Sequence, residues 1–121
     1  MGGATWGERV ALIGAGAMGG AIGTRLVETG NTLSVFDLDP AKRAALAEKG
    51  ARDAPSIADA VGDVDFVITS LNSAGVVGAV VLGEGGVADA APAGTLVIDM
   101  SSIDPEATRQ LAGDAAERGL R

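Results

Sequence analysis

A glycine-rich segment near the N-terminus constrains the fold of this chain more than any other part of it. The segment reads Gly14-Ala15-Gly16-Ala17-Met18-Gly19, a G-x-G-x-x-G pattern. It follows directly on a short apolar run at 9–13, which is typical of a strand buried on both faces. A helical stretch over 17–28 comes next and ends before Gly30, a residue type that often follows a helix C-terminus. The segment is therefore predicted to connect a buried strand to a helix.

The rest of the chain alternates short apolar strands with helices. Strands are predicted over 32–36, 51–53, 65–71 and 95–99, and helices over 40–50, 56–61, 76–82 and from residue 105 onward. Asp39-Pro40 and Asp104-Pro105 are typical helix starts. This alternation favours an α/β fold, a Rossmann-type doubly wound parallel sheet that binds ligands at the carboxyl ends of its strands. We expect an N-terminal extension over 1–8 and a single domain over 9–121.

The glycine positions suit a loop that binds a pyrophosphate. Gly14 permits a tight turn, Gly16 leaves room for a phosphate against the backbone, and Gly19 allows the helix to pack close to the sheet. Backbone N–H groups at the helix start would face the anion. The predicted cofactor-binding residues of this loop are Gly14, Ala15, Gly16, Ala17, Met18 and Gly19. The alternative is a glycine-rich turn that binds no ligand. A Walker-type phosphate loop is excluded because Gly20-Ala21 follows in place of Lys-Ser/Thr.

Asp37 ends the second predicted strand, where a carboxylate can accept hydrogen bonds from the adenosine ribose hydroxyls. A carboxylate at this position repels a 2′-phosphate, and Leu38 stands where an arginine could have bound one. The sequence therefore predicts NAD rather than NADP as the cofactor. Lys42 and Arg43 follow closely and could bind a phosphate from the next helix. A solvated aspartate that only supports the turn is the alternative for Asp37.

Composition excludes several kinds of chemistry. The chain has no cysteine and no histidine, so it has no disulfide, no ordinary zinc site and no Ser-His-Asp triad. We predict no metal ligand and no catalytic residue. The formal net charge of −7 argues against a nucleic-acid partner, which needs a basic surface.

The sequence resembles the N-terminal cofactor domain of the β-hydroxyacid dehydrogenase family, which includes 3-hydroxyisobutyrate dehydrogenases and tartronate semialdehyde reductases. The resemblance covers roughly residues 9–120. The matching segments are ALIGAGAMGGAIGTRLVETG from Ala11, FDLDPAKRAAL from Phe36, VITSLNSAGVV from Val67, VLGEGGV from Val81 and VIDMSSIDP from Val97. The Met-Gly after G-x-G and the Asp-x-Ser-Ser run distinguish this family from other dinucleotide-binding folds.

The resemblance implies roles for four further residues. The family's Leu-Pro pair, which lines the nucleotide, corresponds to Leu71 and Asn72, so asparagine replaces the proline here. The family's Asp-x-Ser-Ser/Thr motif places Ser102 beside the nicotinamide and makes Ser101 a candidate substrate contact. From the residues alone, both hydroxyls could instead cap the turn before Asp104-Pro105.

The resemblance also implies what the chain would do. The family continues into a Ser-Gly-Gly loop, a helix with a catalytic lysine and an all-helical domain, which this sequence does not include. Lys42 and Lys49 are expected on the solvent side of the second helix, where neither can donate a proton to substrate. We expect the cofactor half of an NAD-dependent 3-hydroxyacid dehydrogenase, which binds NAD without turnover. A small hydroxyacid or semialdehyde would bind only with the C-terminal domain.

Other classes of protein fit parts of the pattern. A free-standing nucleotide-binding or regulatory module would share the same loop, as would the cofactor domain of an NADP-dependent imine reductase or a 6-phosphogluconate dehydrogenase. An S-adenosylmethionine-dependent methyltransferase also combines a glycine-rich first loop with an acidic residue after the second strand. Asp37 and the segment IDMSSIDP favour the hydroxyacid group.

The expected location is the cytoplasm, because the N-terminus lacks a basic region followed by an apolar one. The uncharged span between Asp65 and Glu84 contains serine, asparagine and glycine, which favours a strand and a helix over a membrane segment. The surface that would face the absent second domain is expected to be apolar and to favour self-association.

Overall fold

A five-stranded sheet lies at the centre of the structure, a computed structural model that describes residues 8–71, 73–101 and 105–120. Its strands are β1 (Arg9–Ile13), β2 (Thr32–Phe36), β3 (Arg52–Asp53), β4 (Phe66–Thr69) and β5 (Leu96–Asp99). They lie in the order β3-β2-β1-β4-β5, and every neighbouring pair is parallel. The strand order reverses between β1 and β4, the place where such sheets bind ligands. The predicted Rossmann-type sheet is confirmed.

Helices cover both faces of the sheet. They are α1 (Ala17–Glu28), α2 (Pro40–Ala47), α3 (Ile57–Val61), α4 (Ala74–Leu82), α5 (Val87–Ala90) and α6 (Pro105–Glu117). The predicted start of α2 is confirmed, since the side chain of Asp39 accepts a hydrogen bond of 2.9 Å from the N–H of Ala41. None of the helices in the described ranges is both long and apolar enough to cross a membrane.

The sequence does not predict α5. This helix has four residues, too few to show a helical period. One of the contacts that position this helix comes from Arg118, which lies after α6. The guanidinium of Arg118 donates to the carbonyl oxygen of Leu82 at 3.0 Å and to the carboxylate of Asp89 in α5. A contact between segments far apart in the chain therefore helps to hold α5 in place.

The core consists of two apolar clusters, one on each face of the sheet. Ala11 and Ile13 of β1 belong to the cluster beneath α3, α4, α5 and α6. Val10 and Leu12 belong to the cluster beneath α1 and α2. Successive side chains of a strand point to opposite faces, so β1 is buried on both. This explains why its sequence is continuously apolar rather than alternating.

The turn after β1 depends on close contacts between backbone segments. Gly14 has a φ angle of 101°, which L-residues with side chains rarely adopt. A Cβ atom on Gly14 would also lie 2.2 Å from the carbonyl oxygen of Ser70, at the end of β4. A Cβ atom on Gly19, in α1, would lie 2.0 Å from the carbonyl oxygen of Gly14. Neither position can carry a side chain unless the backbone moves.

An ion pair joins Arg9, the first residue of β1, to Asp65, the residue before β4. It lies at the amino ends of these strands, away from the glycine-rich turn. Nη2 of Arg9 lies 3.0 Å from Oδ1 of Asp65, and the backbone N–H of Arg9 donates to Oδ2 of the same carboxylate at 3.2 Å. The hydrogen bonds from Arg9 lower the pKa of Asp65 below its ordinary value of 3.8. The side-chain hydrogen bond that Arg9 donates to Asp65 likewise raises the pKa of Arg9.

We expect the substitution Gly19→Ala to destabilise the domain by about 2 kcal/mol or more, which corresponds to a Tm loss of about 8 °C. The reason is the overlap between the new methyl group and the Gly14 carbonyl. Thermal unfolding followed by circular dichroism measures the change. Gly113→Ala in α6 is the matched control, because a Cβ atom there has no neighbour within 4 Å. Equal Tm values for the two variants would contradict the packing argument.

The Arg9–Asp65 pair should make stability depend on acid pH. Because folding lowers the pKa of Asp65, the pair stabilises the folded state above pH 3.8 and this contribution disappears as the pH falls through the lowered pKa. Asp65→Asn should therefore lower Tm at pH 7, and the gap from the parent protein should close below pH 3.8. Asp63→Asn, at a neighbouring exposed carboxylate, is the control. A gap that stays constant down to pH 2.5 would show that Asp65 acts without its charge.

Candidate functional site

A cavity of about 420 Å³ opens at the carboxyl ends of β1, β2 and β4. It is lined by Ile13, Gly14, Gly16, Phe36, Asp37, Leu38, Lys42, Ile57, Ser70, Leu71, Val76 and Val80. A larger groove of about 600 Å³ lies between α1 and α2, but it includes neither Asp37 nor any residue of the loops after β2 and β4. The smaller cavity is the candidate site, because it lies where the strand order reverses and contains the predicted polar group.

The glycine-rich loop presents bare backbone to this cavity. Gly16 is the N-cap of α1, and no side chain of the described residues caps the first turn of the helix. A Cβ atom on Gly16 would have no neighbour within 4 Å among the described residues, in contrast to Gly14 and Gly19. Space is therefore open in front of the helix N-terminus, where the helix dipole and unsatisfied N–H groups attract an anion. Met18, the second residue of the helix, is exposed.

The carboxylate of Asp37 is fixed against this loop by two backbone hydrogen bonds. The N–H of Ala15 donates to Oδ2 at 2.7 Å, and the N–H of Asp39 donates to Oδ1 at 2.8 Å. The N–H of Gly14 donates to the carbonyl oxygen of Phe36 at 2.9 Å, which holds the ends of β1 and β2 together. Each carboxylate oxygen keeps a lone pair for a further donor. Asp37 can therefore bind a pair of hydroxyl groups without losing its own anchors.

An apolar wall completes the cavity, and the sequence analysis missed it. Leu38 is 89% exposed and Val76 is 43% exposed, which is unusual for large aliphatic side chains. Ile57 and Val80 line the same wall. The available signal was an apolar residue in a loop, Leu38, that no strand or helix period explains. The wall can cover a flat, weakly polar group.

The loops after β4 and β5 are joined by a chain of hydrogen bonds. The N–H of Leu71 donates to Oγ of Ser101 at 2.7 Å, and the N–H of Ser101 donates to Oδ1 of Asp99 at 3.0 Å. The hydroxyl of Thr69 donates to the same Oδ1 at 2.9 Å. Leu71 lines the cavity, whereas Ser101 is not among the lining residues and contacts the cavity wall only through its hydrogen bond with Leu71. The predicted contacts at Asn72 and Ser102 lie outside the described residues.

The two cations after Asp37 have different surroundings. Lys42 is exposed, borders the cavity and makes no ion pair or side-chain hydrogen bond in the described part of the chain. Arg43 is engaged: its Nε lies 2.8 Å from Oδ1 of Asp53, and its Nη1 donates to the carbonyl oxygen of Asp37 at 3.2 Å. Among the lining residues, Asp37 and Lys42 are the ionisable ones. Both suit the binding of a polar ligand.

Comparisons with known proteins agree with this geometry. Residues 9–121 match the family model described as the NAD binding domain of 6-phosphogluconate dehydrogenase. The 2-(hydroxymethyl)glutarate dehydrogenase of Eubacterium barkeri is 39% identical over 112 residues, which cover 93% of this chain and 37% of that protein.

Solved structures share the fold. The 3-hydroxyisobutyrate dehydrogenase of Mycobacterium tuberculosis with L-serine superposes with a TM-score of 0.88 at 31% identity, over 94% of this chain and 38% of that one. An imine reductase of Myxococcus stipitatus in complex with NADP⁺ gives a TM-score of 0.84 at 27% identity, over 92% and 38%.

The chain thus spans 37% to 38% of the length of these relatives. The resemblance to the N-terminal cofactor domain of the β-hydroxyacid dehydrogenases is confirmed. This chain belongs to the family of NAD-binding domains represented by that of 6-phosphogluconate dehydrogenase.

Proposed function

We propose that this chain binds NAD(H) as the cofactor domain of a 3-hydroxyacid dehydrogenase. The observation that carries the proposal is the hydrogen bond of 2.7 Å from the N–H of Ala15 to Oδ2 of Asp37. It makes the glycine-rich loop and the carboxylate one rigid unit. An adenosine diphosphate group requires an anion-binding site, here the backbone N–H groups at the start of α1, at a fixed distance from a hydroxyl acceptor, here Asp37.

Each part of the cavity has a proposed partner on the dinucleotide. The pyrophosphate binds to the backbone of residues 14–19, because the space beside Gly16 is open to a ligand. The adenosine ribose hydroxyls donate to Asp37. Leu38 and Val76, both exposed, cover the adenine ring and bury apolar surface of their own. Leu71, Asn72 and Ser102 are proposed to line the nicotinamide half, with Ser101 acting on Leu71.

We propose that the cofactor is NAD rather than NADP. The fold is shared with an imine reductase in complex with NADP⁺, so side chains around the ribose must decide the choice. Asp37 would face a 2′-phosphate at close range, and two like charges there disfavour binding. Arg43 is already paired with Asp53 and does not offset that repulsion. Lys42 is the remaining cation at the rim of the cavity.

The dehydrogenase reaction is proposed to need more than this chain. The nicotinamide supplies or accepts a hydride, and a carbonyl substrate then needs a proton donor close to its oxygen. The ionisable residues of the cavity, Asp37 and Lys42, belong to the adenosine end in this proposal. We therefore propose that this chain binds the dinucleotide without turnover. A small hydroxyacid or semialdehyde would bind only when a second, C-terminal domain is present.

Titration calorimetry with NADH and the variant Gly16→Ala tests the anion-binding site. The new methyl group occupies the space proposed for the pyrophosphate, so we expect affinity to fall at least tenfold, about 1.4 kcal/mol. Because a Cβ atom at this position meets no atom of the described residues within 4 Å, Tm should stay close to that of the parent chain. Gly113→Ala should leave the affinity intact and, as a change from glycine to alanine inside a helix, should not lower Tm. Undiminished NADH binding by Gly16→Ala, or no NADH binding by the parent chain, would refute the proposal.

Asp37→Asn tests the choice of cofactor. Removing the charge takes away the repulsion of a 2′-phosphate and weakens the hydrogen bonds to the ribose hydroxyls. We expect the ratio of NADH affinity to NADPH affinity to fall at least tenfold. Asp39→Asn, at a neighbouring exposed carboxylate, controls for the general loss of negative charge. The preference for NAD fails if the parent chain binds NADPH more tightly than NADH.

A further inference from the structure

Arg43 differs from the other ion-paired arginines of the described residues in its burial. Its side chain is 19% exposed, whereas the side chains of the other five are at least 40% exposed. Its guanidinium lies between two groups, the carboxylate of Asp53 and the main-chain carbonyl of Asp37. A strong cation is thus held next to the residue proposed to bind the ribose, yet it does not line the cavity.

Asp53 is placed to hold this cation by the sheet itself. It is the last residue of β3, and its register partner in β2 is Val35, two residues before Asp37. Arg43 is the partner of its carboxylate among the described residues, with Nε 2.8 Å from Oδ1. If this carboxylate were neutral, Arg43 would keep only the uncharged carbonyl of Asp37 as an acceptor. A guanidinium in that position would favour any nearby phosphate, since it binds phosphates in a bidentate manner.

We propose that Asp53 is a determinant of cofactor choice: by pairing with Arg43, it withholds that guanidinium from the 2′-phosphate of NADP. The inference rests on the proposed function, because it takes the ribose to lie at Asp37. Nη1 of Arg43 donates to the main-chain carbonyl of Asp37 at 3.2 Å, so the guanidinium lies next to the residue proposed to bind that ribose. Besides Asp37, a second residue thus contributes to the selection against NADP, and it lies on a strand outside the cavity.

The two charged groups that line the cavity, Asp37 and Lys42, act on a 2′-phosphate independently of Asp53. Lys42 has no partner in the described part of the chain, so it attracts a 2′-phosphate equally whether or not Asp53 is present. Asp37 repels the phosphate equally in both cases. The effect of Asp53 therefore separates from theirs in a comparison of variants that keep both residues.

The experiment measures NADH and NADPH affinities of Asp53→Asn by titration calorimetry. We expect NADPH to bind about tenfold more tightly relative to NADH than in the parent chain, the equivalent of one charge-assisted contact. Asp59→Asn is the matched control. Asp59 also pairs with an arginine, Arg52, at 2.7 Å and is similarly half-exposed, so its loss changes the net charge by the same amount. The ratio of NADPH affinity to NADH affinity should be the same in Asp59→Asn as in the parent chain.

Two further variants assign the gain to Arg43. Asp53→Glu keeps a carboxylate and should retain the parent ratio. The double variant Asp53→Asn/Arg43→Gln should lose the gain of the single variant, because the freed cation is gone. Asp53→Ser, which removes the charge with a smaller side chain, should reproduce the gain and guards against a local effect of asparagine on the strand.

The outcomes separate this inference from the function beneath it. If the parent chain binds NADH but Asp53→Asn and Asp59→Asn give the same affinity ratio, the inference is wrong and the proposed function stands. A gain that persists in the double variant also overturns it, since Arg43 would not be its source. If the parent chain binds neither dinucleotide, the proposed function fails and this inference fails with it.

Discussion

Three backbone segments meet at Gly14, and the position of every other part of the site depends on that contact. The carbonyl oxygen of Ser70 lies against one side of Gly14, and Gly19 lies against the carbonyl oxygen of Gly14. The ends of β1 and β4 and the start of α1 lie too close together for a Cβ atom at Gly14 or Gly19. The next residue, Ala15, donates its N–H to Asp37 and thereby fixes the end of β2 to the same point. The ends of β1, β2 and β4, the start of α1 and the carboxylate of Asp37 are therefore held in fixed positions relative to one another.

The sequence predicted the features that arise from local signals. The apolar run at β1 and the Asp39-Pro40 start of α2 depend on residues within a few positions of each other, and the structure agrees with both. Gly14 and Gly19 occupy positions where a Cβ atom would overlap the backbone. Such constraints restrict the residue type at a single position, so they are readable without knowledge of the fold.

Features that depend on distant segments could not be predicted in this way. The single-turn helix α5 is held by Arg118, from beyond the last helix. Ser101, expected near substrate by resemblance, accepts a hydrogen bond from Leu71 thirty positions earlier. Arg43 was recognised as a nearby cation, but its pairing with Asp53 depends on how β3 lies beside β2. In each case the local sequence is compatible with several partners, and only the tertiary arrangement selects one.

The exposed backbone at Gly16 has an evolutionary consequence. An anion-binding site made of main-chain N–H groups has the same chemistry whatever side chains surround it, so substitution cannot tune it and can only obstruct it. Divergence of cofactor use among proteins that share this fold must then arise where side chains remain free to vary, in the loop after β2 and the residues that contact it. Steric overlap restricts the residue types that the centre of the site can hold, and new specificities can emerge from the side chains around it.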